Sequence, residues 1–192
     1  MQKTTDKQYK IRPLKIGEKV ESFDCGDADL NDFILNEAHL YREELLAVTY
    51  VMEERESGKV IAYFCLINDK VSLSEFEDKT EFNRFRRKRF INEKRLKSYP
   101  AVKIGRFGVD ISAHGLRIGS QLISFIKYFF AGKNKTGCRF LTVDAYIDAI
   151  PFYRKNEFEE LTVFDKEDKH TRALIFDLKE LKKKEAGYGQ TD

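Results

Sequence analysis

The residues with the clearest capacity for chemistry lie between Tyr99 and Ile123, in the stretch YPAVKIGRFGVDISAHGLRIGSQLI. Val102 and Ile104 alternate with Lys103, as a half-buried strand requires. Phe107 and Val109 are apolar on the opposite parity, with Gly105 and Arg106 between. Strand side chains change face at every residue, so this exchange calls for one extra residue, a β-bulge. A bulge leaves backbone N–H and C=O groups unpaired, open to a bond from another molecule. Asp110 to Gly119 holds Gly115 and Gly119 and no long apolar run, which predicts a turn. Ile118, Leu122, Phe125, Ile126 and Phe129 then recur at helical spacing. A glycine-bearing turn that opens a helix aims several N–H groups and the positive end of the helix dipole at one spot, which suits a phosphate or pyrophosphate.

VKIGRFGVD followed by HGLRIGSQLI resembles the acetyl-CoA-binding core of the GCN5-related N-acetyltransferases. The family pattern there is Gln/Arg-x-x-Gly-x-Gly/Ala. His114 stands at the Gln/Arg place, Arg117 at the first glycine and Gly119 at the last. A second match lies in DAYIDAIPFYRKNEF, where Ala149, Phe152 and Tyr153 fit Ala-x-x-Phe-Tyr. Glu157 stands where the family commonly has glycine, and Tyr146 where it commonly has asparagine before the helix. The resemblance covers roughly residues 100–158, with weaker agreement from 8 to 67. FDCGDADLNDF resembles the first-helix region of a subset that includes toxins of toxin–antitoxin pairs.

The resemblance implies a donor site. The backbone of Phe107, Gly108 and Val109 would bond the pantetheine amides as an added strand does. The N–H groups of His114, Gly115, Leu116, Arg117, Ile118, Gly119 and Ser120 would hold the pyrophosphate. Tyr153 would be the general acid that protonates the departing CoA thiolate. A thiol pKa of about 8.5 against a tyrosine pKa of about 10 makes that transfer uphill by about 1.5 units, roughly 2 kcal/mol. Without the motif, Tyr153 reads equally as a core residue with a wet hydroxyl. Arg117 admits two readings. If glycine serves positive φ there, arginine costs on the order of 1 kcal/mol. If glycine serves close approach, the guanidinium points outward and can pair with phosphate, and this second reading is the one favoured. His114 is either a phosphate contact or a solvated loop histidine. For the general base, Glu43 and Glu44 follow the first helix, but any exposed glutamate looks the same, and a water chain serves as well.

The elements that must position these groups are set by periodicity and punctuation. Tyr9 to Leu14 is a short strand. Asp27 or Asp29 caps a helix with an apolar stripe of Leu30, Phe33, Ile34, Ala38, Tyr41 and Leu45. Ala47–Glu53 and Lys59–Ile67 form a hairpin turning near Ser57–Gly58. Ser74 and Glu77 have capping-box spacing and start a charged, peripheral helix with scattered phenylalanines. Arg139–Tyr146 is a strand, and Ala149–Lys155 a helix with Pro151 in its first turn. Leu161–Phe164 and Thr171–Leu178 are a final strand pair around DKEDKH. This order predicts an α/β (α+β) domain: a mixed, mostly antiparallel central sheet with helices on both faces and a splayed, bulged strand pair, the fold the resemblance implies. Residues 1–180 are expected to form one domain and 181–192 a charged tail.

At 192 residues with 42% hydrophobic content and 16 phenylalanines, the chain can bury one sizeable core. No apolar run approaches the roughly 20 residues of a membrane span, and the start lacks a signal-peptide segment, so a cytoplasmic protein without a membrane partner is expected. Cys25, Cys65 and Cys138 fit neither a disulfide framework nor a zinc site and read as small hydrophobes; no metal is expected. Net charge is only +3. Locally, Arg84, Arg86, Arg87, Lys88, Arg89, Lys94, Arg95 and Lys97 form a basic segment, 84–97, interleaved with Phe85 and Phe90. It reads as a nucleic-acid contact or as a solvated face balanced by Glu75, Glu77, Asp78, Glu81 and Glu93.

The resemblance implies an acetyl-CoA-dependent N-acetyltransferase acting by direct transfer to a primary amine in a ternary complex. In the toxin subset the acceptor is the amino group of an aminoacyl-tRNA, which the basic segment would suit. A homodimer is left open. The reading of another class is a non-catalytic CoA-binding or interaction module, suggested by the departures at Arg117 and Glu157.

Overall fold

In a computed structural model, residues 8–132, 136–162 and 170–182 are described. The strands are β1 (Tyr9–Pro13), β2 (Val48–Glu54), β3 (Val60–Ser72), β4 (Ser98–Val109), β5 (Phe140–Tyr146), β6 (Glu159–Glu160) and β7 (Thr171–Asp177). The helices are α1 (Ala28–Asp32), α2 (Ala38–Glu43), α3 (Lys79–Arg89), α4 (Ile118–Gly132) and α5 (Ile150–Lys155). The strands form one mixed, mostly antiparallel sheet in the order β1-β2-β3-β4-β5-β7-β6. β4 pairs β5 in parallel at Ala101↔Phe140, Val102↔Leu141 and Lys103↔Thr142, with α4 in the crossover that a parallel pair requires. By packing the chain divides into two compact units, 1–67 with 104–122 and 68–103 with 123–192.

The first unit holds the hairpin and the first helices. β2 and β3 pair antiparallel, and Gly58 turns the chain at φ +71° with its N–H on Glu54 O. α1 is capped by Asp27, whose carboxylate accepts from Leu30 N–H at 2.9 Å. The helix does not continue regularly: Phe33–Glu37 is a π-turn, with α2 behind it. Phe33, Ile34 and Ala38 join Leu14, Val51, Tyr63 and Cys65 in the core of this unit, as the stripe predicts. Leu45 does not; it lies beyond the end of α2 at φ +58° and is 88% exposed.

The parity exchange in β4 is visible in what its glycines touch. A Cβ on Gly105 would stand 2.5 Å from Ile67 Cδ1, and one on Gly108 would stand 2.7 Å from Tyr63 Cε1. Tyr63 and Ile67 are four residues apart and share a face of β3. Gly105 and Gly108 are three apart and would face opposite ways in a regular strand. Arg106 also reaches that side, its guanidinium 5.5 Å from the ring centre of Phe33. The parity slip therefore lies between Gly105 and Gly108, and the reach of Arg106 to Phe33 fits a bulge at Gly105–Arg106, the interval the sequence marks.

The second unit is built on aromatic rings. Phe76, Phe82, Phe85, Tyr99 and Phe140 are buried together, with Phe82 5.2 Å from Phe76 and Phe85 5.6 Å from Phe140 between ring centres. The expectation of a peripheral helix at α3 is therefore corrected: two of its phenylalanines are core. Its cap is also different. Asp78 caps α3 by accepting from Glu81 N–H at 2.8 Å, and the capping box belongs to Ser72 and Glu75 instead of Ser74 and Glu77. β6 starts at Glu159, two residues before the expected strand, because Glu159 and Glu160 pair Ile175 and Leu174; the expected residues 163–164, the DKEDKH turn up to 169 and the tail from 183 lie outside the described residues. Leu181, expected in the tail, is buried.

Replacing Gly108 by alanine should cost roughly 1–3 kcal/mol, because its methyl would overlap the buried Tyr63 ring. Urea unfolding of the variant checks this; an unchanged midpoint would show that the ring moves aside freely.

Candidate functional site

The turn between β4 and α4 is anchored by Asp110, the first residue after the strand. Its buried carboxylate accepts from Ser112 N–H at 3.0 Å, Ser112 Oγ at 2.5 Å, Lys59 Nζ at 3.2 Å and Asp24 N–H at 3.3 Å. Burial alone would push its pKa up; the bonds from Ser112 and Lys59 outweigh burial and hold it below the ordinary aspartate range. Asp110 N–H donates to Ile61 O and Ile111 N–H to Asp24 O, at 2.9 and 2.8 Å. The end of β4, the start of β3 and the Asp24 loop are thus closed around one carboxylate. Asp24 in turn accepts from Gly26 N–H and Asn31 Nδ2. Sequence reasoning passed over Asp110, although an aspartate with serine two residues on is the spacing of an Asx-turn.

The loop itself is exposed at His114, Gly115, Leu116 and Arg117, while Ile118 is buried at the start of α4. The first N–H groups of α4 have no intrahelical acceptor, as at any helix start. Gly115 is at φ +80° and Arg117 at φ +60°. Of the two readings of Arg117, the positive-φ reading holds: the backbone keeps the left-handed conformation that glycine adopts freely, at a cost on the order of 1 kcal/mol. Glu157, the other departure from pattern, is likewise at φ +64°. His114 is neither a bare solvated ring nor aimed only outward. Its Nε2–H donates to Val109 O at 2.9 Å, tying the loop back to the strand. Phe107 and Val109 are half-buried and Gly108 is buried.

Tyr153 belongs to the second unit. α5 begins with Pro151 in its first turn, and Tyr153 is 5% exposed, its ring 5.1 Å from Phe152 and 5.5 Å from Phe158. Burial pushes its phenol pKa well above the ordinary value. The group is therefore protonated at any working pH, as a general acid must be. The C-terminus of this helix is held by Lys127 of α4, a buried lysine that sequence reasoning missed. Its ammonium donates to Asn156 O at 2.5 Å, lies 3.4 Å from Glu157 Oε2, and sits 3.7 Å from the ring centre of Phe176.

The basic segment divides into two kinds of cation. Arg86 donates to Arg95 O and Leu96 O and lies over the Phe82 ring; Arg89 pairs Glu159 and lies over Phe85. Both are part of the packing. Arg84, Arg87 and Lys88 are exposed and carry no ion pair among the described residues. The acids expected to balance them are spent elsewhere: Glu75 on Ser72, Glu81 on Thr162. Glu43 and Glu44 are exposed at the end of α2, with nothing in their surroundings to set either apart as a base. Cys65 is buried, Cys25 and Cys138 are half-buried, and desolvation pushes the Cys65 and Cys138 thiols up to about 11, which removes thiolate chemistry near neutral pH. Among the described residues no group of three His, Cys, Asp or Glu could hold a metal ion, and no helix is long and apolar enough to cross a membrane.

No family model and no curated protein matches the sequence. Solved structures do match. A tyrosine-to-phenylalanine mutant of KacT superposes with a TM-score of 0.73 at 19% identity, covering 92% of this chain and 98% of that one. AtaT complexed with acetyl-methionyl-tRNAfMet gives 0.71 at 21% identity over 91% and 97%. AtaTR bound with AcCoA gives 0.70 at 21% identity over 91% and 96%. These likenesses show the fold: the chain has the fold of the GCN5-related N-acetyltransferases.

The loop geometry makes two changes informative. Arg117→Gly should raise stability by roughly 0.5–1 kcal/mol, whereas Arg117→Ala should not, since alanine keeps the left-handed strain; paired thermal melts decide. Asp110 has a lowered folded pKa, so its contribution is present above the unfolded aspartate value of about 3.9 and is lost as pH falls through the lower folded value. Asp110→Asn should cost on the order of 1–3 kcal/mol near pH 7 and flatten the acid limb below about pH 4. An acid limb identical to the parent's would remove Asp110 from that role.

Proposed function

We propose that this chain is an acetyl-CoA-dependent N-acetyltransferase that passes acetyl directly to a primary amine in a ternary complex, with the amino group of an aminoacyl-tRNA as the acceptor. The observation that carries the reading is the likeness in fold over nine-tenths of the chain to proteins captured with AcCoA and with acetyl-methionyl-tRNAfMet. Residues 1–180 would act as one catalytic domain, in the cytoplasm where charged tRNA is found.

Each role falls to a particular group. The backbone of Phe107, Gly108 and Val109 binds the pantetheine arm, and the loop from His114 to Ser120 binds the pyrophosphate through the N–H groups at the head of α4. A neutral amine nitrogen attacks the thioester carbonyl carbon. The C–N bond forms, the oxyanion collapses, and the C–S bond breaks. Tyr153 gives its proton to the leaving thiolate, the ammonium proton leaves to water, and the phenolate takes a proton back from water to complete the cycle. Burial makes the Tyr153 transfer more costly in the free protein than the roughly 2 kcal/mol of the unperturbed groups. A thiolate formed beside it offsets part of that cost, because it too loses solvation there. The reading of a non-catalytic module loses its ground, since Arg117 and Glu157 both hold the backbone that glycine would.

Tyr153→Phe should lower kcat about 10²–10⁴-fold with acetyl-CoA affinity retained. The parent's rate should show no descending limb from tyrosine ionisation up to pH 10. Thiol release with charged tRNA measures both, and a variant as fast as the parent would remove Tyr153 from the reaction. For the basic segment, Arg84→Gln, Arg87→Gln and Lys88→Gln together should weaken tRNA binding and reduce its salt slope by up to about three. Arg86 and Arg89 are poor choices, because their removal would disturb α3 itself.

A further inference from the structure

The bulge does more than interrupt a ladder. It turns Arg106 to the side of β4 on which Phe33 lies. Phe33 is the first residue of the π-turn between α1 and α2. Two backbone irregularities in the first unit therefore meet at one ring, and both types of irregularity are over-represented beside functional sites.

The ring of Phe33 is nearly fully buried, with Tyr63 stacked at 6.0 Å. Two polar side chains close on it. The Arg106 guanidinium lies 5.5 Å from its centre, and the Tyr41 ring meets it edge-on at 5.4 Å. Tyr63 cannot be the third, because its hydroxyl is spent on Leu30 O at 2.7 Å. Arg106 is exposed, and among the described residues its guanidinium bonds only its neighbour's carbonyl, Gly105 O, at 3.0 Å. No carboxylate pairs with Arg106 among the described residues, and the Tyr41 hydroxyl has no partner among them. This contrasts with Arg12 in the same unit, which is held by both Glu18 and Glu53. A guanidinium resting on an aromatic face is oriented without being neutralised. The remaining fork of N–H donors is then offered to a ligand, with a phenol beside it.

We infer that Arg106 and Tyr41, both set against Phe33, bind a phosphodiester of the acceptor and so select an RNA-borne amine over a free one. The inference rests on the proposed acetyl transfer, in which the backbone of Phe107, Gly108 and Val109, directly after Arg106, binds the pantetheine arm. Phosphate is favoured over carboxylate because an aminoacyl ester has no free carboxylate, and because a fork of donors with no counter-acid matches phosphate oxygens. Arg106 is a specificity residue in this reading; it holds the substrate and moves no proton.

The test uses the full chain, its Arg106→Gln, Arg106→Lys and Tyr41→Phe variants, and three acceptors: an aminoacylated RNA minihelix, the free amino acid and the neutral amino-acid amide. Arg106→Gln should raise KM for the minihelix about 10–100-fold, with kcat and acetyl-CoA affinity kept. Arg106→Lys should recover part of the loss, and Tyr41→Phe should show a smaller rise. The amide should be indifferent to all three changes. Equal loss on all acceptors, loss confined to the free amino acid, or no change would each overturn the inference. Direct binding of the labelled minihelix at low salt gives a readout without turnover. If the parent transfers no acetyl but Arg106→Gln still weakens minihelix binding, the proposed activity falls and this site stands. If binding is unchanged, the site falls whatever the activity.

Discussion

Everything distinctive in this chain depends on one extra residue in β4. Strand side chains alternate by geometry, so an added residue at Gly105–Arg106 re-aims the remainder of the strand. Ile104 and Phe107 come to share one side, and Gly105, Arg106 and Gly108 the other. The core could tolerate this only because two of the latter are glycines. A methyl at Gly105 would overlap Ile67, and one at Gly108 would overlap Tyr63. The glycines here serve close approach, and the bulge is the feature they permit. Asp110 then fixes where the distorted strand ends. Its four hydrogen bonds, from Ser112, Lys59 and Asp24, supply locally the pairing that a regular ladder no longer provides.

Glycine at Arg117 and Glu157 would serve the other purpose, positive φ. Both positions keep the left-handed backbone while carrying long charged side chains. Such strain is kept when the surroundings over-determine it. At Glu157 the surroundings are visible. Lys127 donates to Asn156 O, Glu157 lies against the same ammonium, and Asn156 N–H and Phe158 N–H both return to Tyr153 O at 3.0 Å. The end of α5, the helix that carries Tyr153, is thus closed by Lys127 of α4 and by its own backbone. At Arg117 the helix behind it supplies the constraint, since Ile118 is buried in the core one residue on.

The sequence discloses the elements that alternate or repeat, and hides what depends on tertiary partners. The bulge is legible because apolar residues exchange parity, and α4 because its stripe is regular. Tyr153 draws attention through its neighbours, since Ala149 and Phe152 frame it. The conformation of Arg117 is not legible, because a residue type does not report its φ when a glycine has been replaced. The π-turn at Phe33–Glu37 is not legible either: its stripe reads as ordinary helix until Leu45 falls outside the core. In the basic segment the letters look uniform, yet Arg86 and Arg89 are packing residues and Arg84, Arg87 and Lys88 are not. Stacking on Phe82 and Phe85 makes that difference, and a helix written as a row of charges does not show it.

Burial of Tyr153 bears on the acid role proposed for it. A phenol in water at neutral pH is already protonated, so burial is not needed to load it. What burial changes is the other side of the exchange. Desolvation raises the cost of the phenolate, and it raises the cost of a neighbouring thiolate for the same reason. The difference between the two pKa values, not either value alone, sets the driving force. In the proposed transfer, a thiolate formed in the same surroundings is raised as well, so part of the added cost of burying the phenol is offset. The packing of Phe152 and Phe158 around the ring supplies the burial on the phenol's side of that exchange, and the ammonium of Lys127 bonds the end of the same helix.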